Sequence, residues 1–208
     1  MPAKAEAIIL VGGFSEVIEL AVDCGKRIVG LVDPNLKGEH FGYPVLGDDS
    51  AAAAIRRRHP GARAFVAVDE PAHRARLVKL YERAGFEFAS LIHPQAKISP
   101  TAAHGVGVIV QYGAHLSANV RLEDHVRVNV YANVMHDVHV GRCTTIGPNA
   151  VILGRVRIGE QCYIGAHSTI LPEISIGARS TIGAQANVTK RVAAGSVMTG
   201  NPARARRS

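Results

Sequence analysis

The chain has 208 residues and a formal net charge of +7; 47% of its residues are hydrophobic, enough for a core, and 5% are aromatic. The positive charge is not interleaved with aromatic residues, so we expect no nucleic-acid partner. No apolar run reaches the ~18 residues of a membrane span. The first one, at 7–11, is too short for a signal peptide, so we expect a cytoplasmic protein with no membrane partner.

The first ninety residues alternate between short apolar runs and stretches with helical spacing. We predict strands at 7–11, 28–32, 64–68 and 86–91, and helices at 14–24, 48–58 and 71–84. Gly25 and Gly85 follow the first and third helices, where glycine commonly ends a helix. The alternation indicates an α/β, Rossmann-like βαβαβαβ domain, which we place at residues 1–91.

The turn after the first strand, Gly12-Gly13-Phe14, lies where a Rossmann domain binds a phosphate. The full Gly-x-Gly-x-x-Gly pattern is absent, so we do not expect NAD binding. Asp33, at the end of the second strand, has the position of a carboxylate that accepts a hydrogen bond from a ribose or a base. A turn aspartate before Pro34 accounts for it equally well.

A six-residue repeat governs the rest of the chain. Every sixth residue is aliphatic: Val110, Leu116, Leu122, Val128, Val134, Val140, Ile146, Ile152, Ile158, Ile164, Ile170, Ile176, Ile182 and Val188. An α-helix would spread these residues around its surface, and a single strand of this length is excluded. The repeat predicts a parallel β-helix with three hexads in each coil, which we place with a C-terminal tail at residues 92–208.

Residues one coil apart in sequence should stack, ~4.8 Å apart in space. His136 and Gly154 therefore share a corner of the coil. A second column of small residues contains Val130, Pro148, Ala166 and Ala184, and it either lines a groove for a slender ligand or packs against a neighbouring subunit. A base beside an exposed backbone N–H is the arrangement that acyl transfer needs, because the base deprotonates the nucleophile and the N–H holds the oxyanion.

Two other interpretations of the histidines remain open. His136 is also explained as an ordinary turn residue. Several histidines cluster in one stretch, which raises the possibility of a metal site: His104, His115, His125, His136 and His139. No two of these are separated by one full coil, and the three cysteines form no close pair, so we predict no metal site.

The whole chain resembles the sialic acid O-acetyltransferase-like family, which includes bacterial nucleotide-sugar N-acetyltransferases. The segments that carry the resemblance are the glycine turn within 8–17, Gly30-Leu31-Val32-Asp33, Leu91-Ile92-His93-Pro94, Ile98-Ser99-Pro100, Asn129, His136-Asp137, Gly154, Ile182-Gly183-Ala184 and Gly200-Asn201-Pro202-Ala203-Arg204. The resemblance implies a left-handed β-helix and a homotrimer with active sites between neighbouring subunits. It also implies acetyl-CoA as co-substrate along the β-helix.

The resemblance further implies roles for single residues. His136 would be the base, Asp137 its carboxylate partner and Gly154 the oxyanion donor. The coenzyme groove would contain Ala166, Gly183, Ala184 and Thr145, the last standing where the family often has a second histidine. The nucleotide sugar would contact Gly12, Gly13, Phe14, Asp33 and Asn129.

These features together predict an acetyl-CoA-dependent N-acetyltransferase of a nucleotide-linked amino sugar, serving cell-surface glycan precursor synthesis. One alternative is an O-acetyltransferase of a sugar or another small hydroxyl compound, which would use the same base and groove. The non-enzymatic alternative is a β-helix scaffold that binds a ligand.

Overall fold

A computed structural model describes residues 5–206 as two compact units. The first unit extends to Asp69 and resumes over His73–Leu91. The second comprises Glu70–Ala72 and the chain from Ile92 onward.

The first unit is built around one five-stranded sheet of the order β3-β4-β2-β1-β5. Its elements are β1 (Ala7–Val11), α1 (Ser15–Asp23), β2 (Arg27–Val32), β3 (Glu39–His40), β4 (Tyr43–Gly47), α2 (Ala52–Arg58), β5 (Arg63–Val66) and α3 (Pro71–Arg83). A 3₁₀ turn, Asp49–Ala51, precedes α2. Apart from the antiparallel β3–β4 pair, the strands run parallel, and apolar residues of the sheet and of α2 and α3 form the core.

The sequence predicts the helices and the first, second and third strands of this unit within a few residues, but it misplaces one strand. The predicted strand at 86–91 is wrong, because residues 86–90 form only a single bridge, between Phe88 and Ala64. The sheet instead gains β4, which pairs with β2. Pro44 and the glycines at both ends of this stretch favour a turn, since proline cannot donate to a strand ladder.

The second unit is a parallel β-helix whose short strands form three faces. The first face contains Leu91–Ile92, Ile109–Val110, Arg127–Val128, Thr145–Ile146, Tyr163–Ile164, Thr181–Ile182, Val197–Thr199 and Arg204–Ala205. The second contains Lys97–Ile98, His115–Leu116, Asn133–Val134, Val151–Ile152, Thr169–Ile170 and Asn187–Val188. The third contains Ala103–His104, Arg121–Leu122, His139–Val140, Arg157–Ile158 and Ser175–Ile176.

From Lys97–Ile98 to Asn187–Val188, the strands pair in register one coil apart on the same face, as the repeat predicts; His115, for example, pairs with Asn133. Val197–Thr199 also pairs parallel with Thr181–Ile182, and the final strand, Arg204–Ala205, pairs antiparallel with Val197–Thr199. All fourteen aliphatic residues of the repeat are buried and form the core of the β-helix. We name the turns between the faces by number. The first corner joins the first and second faces, the second corner joins the second and third, and the third corner returns to the first face.

In the turns of the β-helix, the glycines that directly follow the aliphatic residues are not the residues with a left-handed backbone. In every hexad of the repeat except the last, the residue with positive φ is the third after the aliphatic residue, and Gly113 is the one glycine among these thirteen residues. Gly165, which directly follows an aliphatic residue, meets a different demand: a Cβ there would lie 2.6 Å from the backbone N of Ala184 on the next coil. Glycine is therefore needed at this position because adjacent coils approach closely there.

Candidate functional site

The second corner brings His136, Asp137 and Asn119 into one hydrogen-bonded chain. His136 Nδ1 lies 2.8 Å from Asp137 Oδ2, and Asn119 Nδ2 donates to Asp137 Oδ1 at 3.0 Å. Asn119 stands one coil before Asp137, so stacking places the two side chains together. Asn119 was not among the predicted site residues, although the stacking rule that paired His136 with Gly154 identifies it.

The surroundings of Asp137 favour its ionised form. The hydrogen bond from His136 is the main cause that lowers the pKa of this carboxyl, and the hydrogen bond from Asn119 and the charge of Arg155 act in the same direction. An ionised carboxylate can only accept hydrogen bonds, so Nδ1 of His136 carries the hydrogen of this pair. Nε2 is then left with a lone pair that can accept a proton.

Gly154 lies directly beside the imidazole. A Cβ at this residue would stand 2.5 Å from His136 Nε2, so any larger residue would displace the ring. Among residues 5–206 the Gly154 N–H donates no hydrogen bond to the backbone. The structure thus puts a proton acceptor and an available backbone donor at the same place, and both His136 and Asp137 keep 46% of their side-chain surface exposed.

The residues assigned to the coenzyme lie at a different corner of the same chain. Ala166, Gly183 and Ala184 occupy the first corner, with the two alanines stacked on successive coils. Asn129 begins the first corner two coils below Gly165, but it is 7% exposed and accepts hydrogen bonds from Arg127 Nε at 2.9 Å and Gln111 Nε2 at 3.2 Å. One chain alone therefore does not bring these residues to His136.

Thr145 is fully buried in the first face. Its side chain has no surface that a coenzyme could reach in this structure, and it lies at neither of the two corners. Its backbone N–H donates to the carbonyl of Cys162 on the next coil, as the coil ladder requires.

In the first unit, the glycine turn and Asp33 meet at the ends of β1 and β2. Asp33 Oδ2 accepts the N–H of Gly13 at 3.0 Å, and Oδ1 accepts the N–H of Asn35 at 2.9 Å. The carbonyl of Gly13 accepts a hydrogen bond from His40 Nε2 at 3.1 Å, a contact that was not predicted because the hairpin of β3 and β4 was not predicted. The carboxylate of Asp33 thus stabilises the turn, as its interpretation as a turn aspartate before Pro34 requires.

A cavity of about 160 Å³ opens beside this turn. Its lining includes the predicted residues Gly12, Phe14 and Asp33, together with Asp49 and His73 from the helical side. Phe14 is 47% exposed. Since a carboxylate has about four lone-pair sites, Asp33 retains acceptor capacity toward the cavity.

Residues 5–206 show neither a grouped set of metal ligands nor a membrane-spanning helix. Within that range, no three or more His, Cys, Asp or Glu side chains are grouped so that they could hold a metal ion. No helix of the same residues is both long and apolar enough to cross a bilayer.

Comparisons with known proteins place this architecture. Residues 7–81 match the PglD N-terminal domain, and residues 119–154 and 155–190 match the bacterial transferase hexapeptide (six repeats) family. No curated protein sequence matches the chain significantly. The fold and the repeat define a hexapeptide-repeat acyltransferase with a Rossmann-like domain followed by a left-handed β-helix.

Solved structures narrow the class. PerB from Caulobacter crescentus, solved with CoA and GDP-perosamine, is 30% identical over 98% of both chains, with a TM-score of 0.91. The acetyltransferase domain of PglB from Neisseria gonorrhoeae, solved with acetyl coenzyme A, is 29% identical over 98% of this chain and 100% of that domain, with a TM-score of 0.91. WeeI from Acinetobacter baumannii is 27% identical over 96% and 100% of the two chains, with a TM-score of 0.85. The chain belongs to the sialic acid O-acetyltransferase-like family of acyltransferases, which includes sugar N-acetyltransferases.

Proposed function

We propose that this protein is an acetyl-CoA-dependent N-acetyltransferase whose acceptor is a nucleotide-linked amino sugar, in the synthesis of glycan precursors. The cluster of His136, Asp137 and Gly154 carries the proposal. A general base with one tautomer fixed by a carboxylate, next to an available N–H, is suited to transfer of an acyl group to an amine. PerB, a relative that matches over nearly its full length and was solved with CoA and a nucleotide sugar, supports the same choice of substrates.

The proposed reaction uses Nε2 of His136 as the base. It removes a proton from the amine as the amine nitrogen attacks the thioester carbonyl carbon of acetyl-CoA. The N–H of Gly154 donates to the oxyanion, and collapse of the tetrahedral intermediate breaks the C–S bond. The proton passes from His136 to the departing sulfur, so the products are an acetamido sugar and CoA thiol.

Asp137 would hold the imidazole in the required tautomer and stabilise the imidazolium that forms during the reaction. The hydrogen bond from Asn119 would keep the carboxylate in place. Such support matters because misplacement of a catalytic group by about 1 Å can cost about 100-fold in rate.

The position of the remaining site residues supports a homotrimer. His136 lies at the second corner, whereas Ala166 and Ala184 lie at the first, so one chain cannot surround a single thioester with both sets. We propose that the first corner of one chain faces the second corner of its neighbour, with acetyl-CoA between them. Closed threefold symmetry would then generate three equivalent sites from one type of contact.

The first unit would bind the nucleotide. The cavity beside Gly12, Phe14 and Asp33 provides an exposed aromatic ring and a carboxylate, which suit a nucleoside.

The test of the proposed function is release of CoA thiol from acetyl-CoA in the presence of UDP-, GDP- and dTDP-linked amino sugars, with mass spectrometry of the products. Acetylation of the amine would support the proposal, and acetylation of hydroxyl compounds only would point to the O-acetyltransferase.

The role of the base is tested with His136→Ala, for which we expect kcat to fall about 100-fold or more, since a general base contributes about 10²–10⁴. The matched control is His104→Ala, which removes an exposed histidine from another coil. A folded His136→Ala protein with kcat near that of the wild type would refute the assignment of the base. Equal losses in both variants would indicate a structural effect.

A further inference from the structure

The first corner carries exposed aromatic rings below the small-residue column. His93 and Tyr112 pack with ring centroids 5.2 Å apart at 86°, and Tyr112 and Tyr131 with centroids 5.3 Å apart at 90°. Tyr112 is 41% exposed and Tyr131 is 49% exposed. We call these three residues the aromatic ladder.

The coil is shaped to hold the Tyr131 ring. Gly113 lies beneath it on the preceding coil, and a Cβ there would come within 2.5 Å of the ring carbon Cδ1. The carbonyl of Tyr131 accepts a hydrogen bond from Asn133 Nδ2 at 3.1 Å. Its hydroxyl is hydrogen-bonded to Tyr112, which raises the pKa of Tyr131. The ring therefore packs against Tyr112 and over Gly113, although about half of the residue is exposed to solvent.

The ladder continues a column already assigned to the coenzyme. Tyr112 stands one coil before Val130, in the column that leads to Ala166 and Ala184. The alanines lie toward the C-terminal end of the β-helix and the tyrosines toward its N-terminal end. If acetyl-CoA binds along the alanines, the tyrosines remain available to contact the acceptor sugar.

The position of Tyr131 along the β-helix axis indicates which part of the acceptor substrate it would contact. Tyr131 and His136 flank the same strand, Asn133–Val134, so they lie within about one coil of each other along the axis. In a threefold assembly with parallel axes, the neighbour's first corner presents Tyr131 at the height of His136. The amine must reach His136, so the group at this height is the sugar ring that carries the amine.

We propose that Tyr131, supported by Tyr112 and His93, forms a stacking platform for the sugar ring of the acceptor, supplied by the chain next to the one that supplies His136. The inference rests on the proposed function and on its threefold assembly. Aromatic faces pack against the C–H face of a sugar, and tyrosine hydroxyls at the rim can bond to its hydroxyl groups. A platform of this kind selects the shape of the sugar independently of the base.

The experiment compares Tyr131→Asn and Tyr131→Phe with the wild type. Asparagine removes the ring but suits the left-handed backbone, as at Asn119 and Asn149. We expect Tyr131→Asn to raise the acceptor KM about tenfold, the scale of one stacking contact, and Tyr131→Phe to raise it much less. The KM of acetyl-CoA should change by less than about twofold in both, since the donor does not contact the ladder.

Two controls separate the platform from general damage. Gln161→Asn makes a similar change at a third-corner residue with the same left-handed backbone, and all its kinetic constants should match the wild type. Tyr112→Ala should raise the acceptor KM as Tyr131→Asn does, and it decides the question if Tyr131→Asn does not assemble. Inhibition by the free nucleoside diphosphate should be equally strong in every variant, because that molecule lacks the amino sugar.

The outcomes distinguish the platform from the proposed function. An unchanged acceptor KM in folded, trimeric Tyr131→Asn overturns the platform while the enzyme activity stands. Weaker inhibition by the nucleoside diphosphate in that variant also overturns the platform, since Tyr131 would then stack on the nucleotide and not on the amino sugar. If the wild type acetylates no amino sugar, calorimetry with the same nucleotide sugars decides: weaker binding to Tyr131→Asn supports the platform alone, and no binding to the wild type refutes both.

Discussion

At the scale of single residues, the absent side chain of Gly154 matters as much as the imidazole beside it. The ring of His136 occupies the space that a Cβ would take, with Nε2 2.5 Å from that position. The other residues of the column at this corner are Pro100, Ala118, Pro172 and Lys190. The local chemistry therefore depends on one glycine standing one coil after one histidine.

We predict that Gly154→Ala lowers kcat about 100-fold, because the methyl group pushes His136 from its place and misplacement of that size has such an effect on rate. Steady-state kinetics and a thermal melt measure activity and folding separately. The control is Gly61→Ala, where a Cβ meets no atom within 4 Å. Wild-type kinetics in Gly154→Ala would show that the ring position is not needed.

The carboxylate of Asp137 gives a pH-dependent prediction. Its pKa is lowered in the folded chain, so its contribution to stability is present above the unfolded value of about 3.9 and is lost as the pH falls through the folded pKa. Asn119→Asp replaces a hydrogen-bond donor with a like charge. We expect the pKa of Asp137 to rise and this stabilising contribution to shrink, measured by NMR titration of the carboxyl carbon and by melts between about pH 5 and 2.

The matched control for this change is Asn149→Asp, at an exposed first-corner position with φ of 55°, close to the 59° of Asn119. It adds the same charge to the β-helix away from Asp137. An Asp137 titration that moves equally in both variants, or in neither, would contradict the role of Asn119.

At the scale of the elements, the hexad is a unit of packing and its positions are not equivalent. The aliphatic residue of each repeat is buried, whereas the fourth residue after it is less uniform: Ile174 is only partly buried, unlike Val138 or Ala150 in the same role. The difference between the two positions can be measured with isoleucines alone.

We predict that Ile152→Ala destabilises the β-helix by about 2–5 kcal/mol, because it leaves a cavity in a closely packed core. Ile174→Ala removes the same atoms from a partly exposed place and should cost clearly less. Denaturant unfolding of both variants measures the free energies. Equal losses would mean that Ile152 is not better packed than Ile174, against its complete burial in the structure.

At the scale of the whole molecule, the separation of the two corners gives a test of assembly. His136→Ala removes the base but leaves the first corner intact, whereas Ala166→Trp fills the first corner and leaves the base. Each variant alone should be inactive. If each site combines two chains, refolding an equal mixture should restore about a quarter of wild-type activity, the chance that an interface pairs an intact base with an intact groove.

The two variants must first be shown to be trimers by light scattering, before and after mixing. Separately assembled trimers mixed without refolding serve as the control for exchange of subunits. A refolded mixture of mixed trimers that shows no activity would mean that both corners serve the same site within one chain, or that the groove lies elsewhere.

Much of this molecule can be predicted from sequence because the repeat is strictly periodic. The period of the hexad fixes which residue faces inward, and the period of the coil fixes which residues stack, so burial of the aliphatic series and the meeting of His136 and Gly154 both follow from counting. The same arithmetic relates Asn119 to Asp137. Periodicity converts distance along the chain into distance in space, which is rarely possible in an irregular fold.

The first unit had no such rule, and there the tertiary structure decided more. The alternation of apolar runs and helical spacing predicted β1, β2, β5 and the helices. Strand β4, which contains Pro44, forms because β2 offers an unpaired edge. Pairing of this kind depends on residues that are distant in sequence. The contact of His40 with Gly13 depends on the same hairpin. The orientation of Asp33 toward the glycine turn likewise required the structure, since the sequence left two explanations open.

By itself, then, the sequence determined the β-helix, its inward residues and the stacked pairs at each corner, because backbone pairing between similar coils enforces a single register. Only the tertiary structure decided that Thr145 is buried and that the ring of Tyr131 packs over Gly113 yet stays about half exposed. Those outcomes depend on the direction in which side chains leave the coil and on what packs over them. Neither is encoded in the spacing of residues.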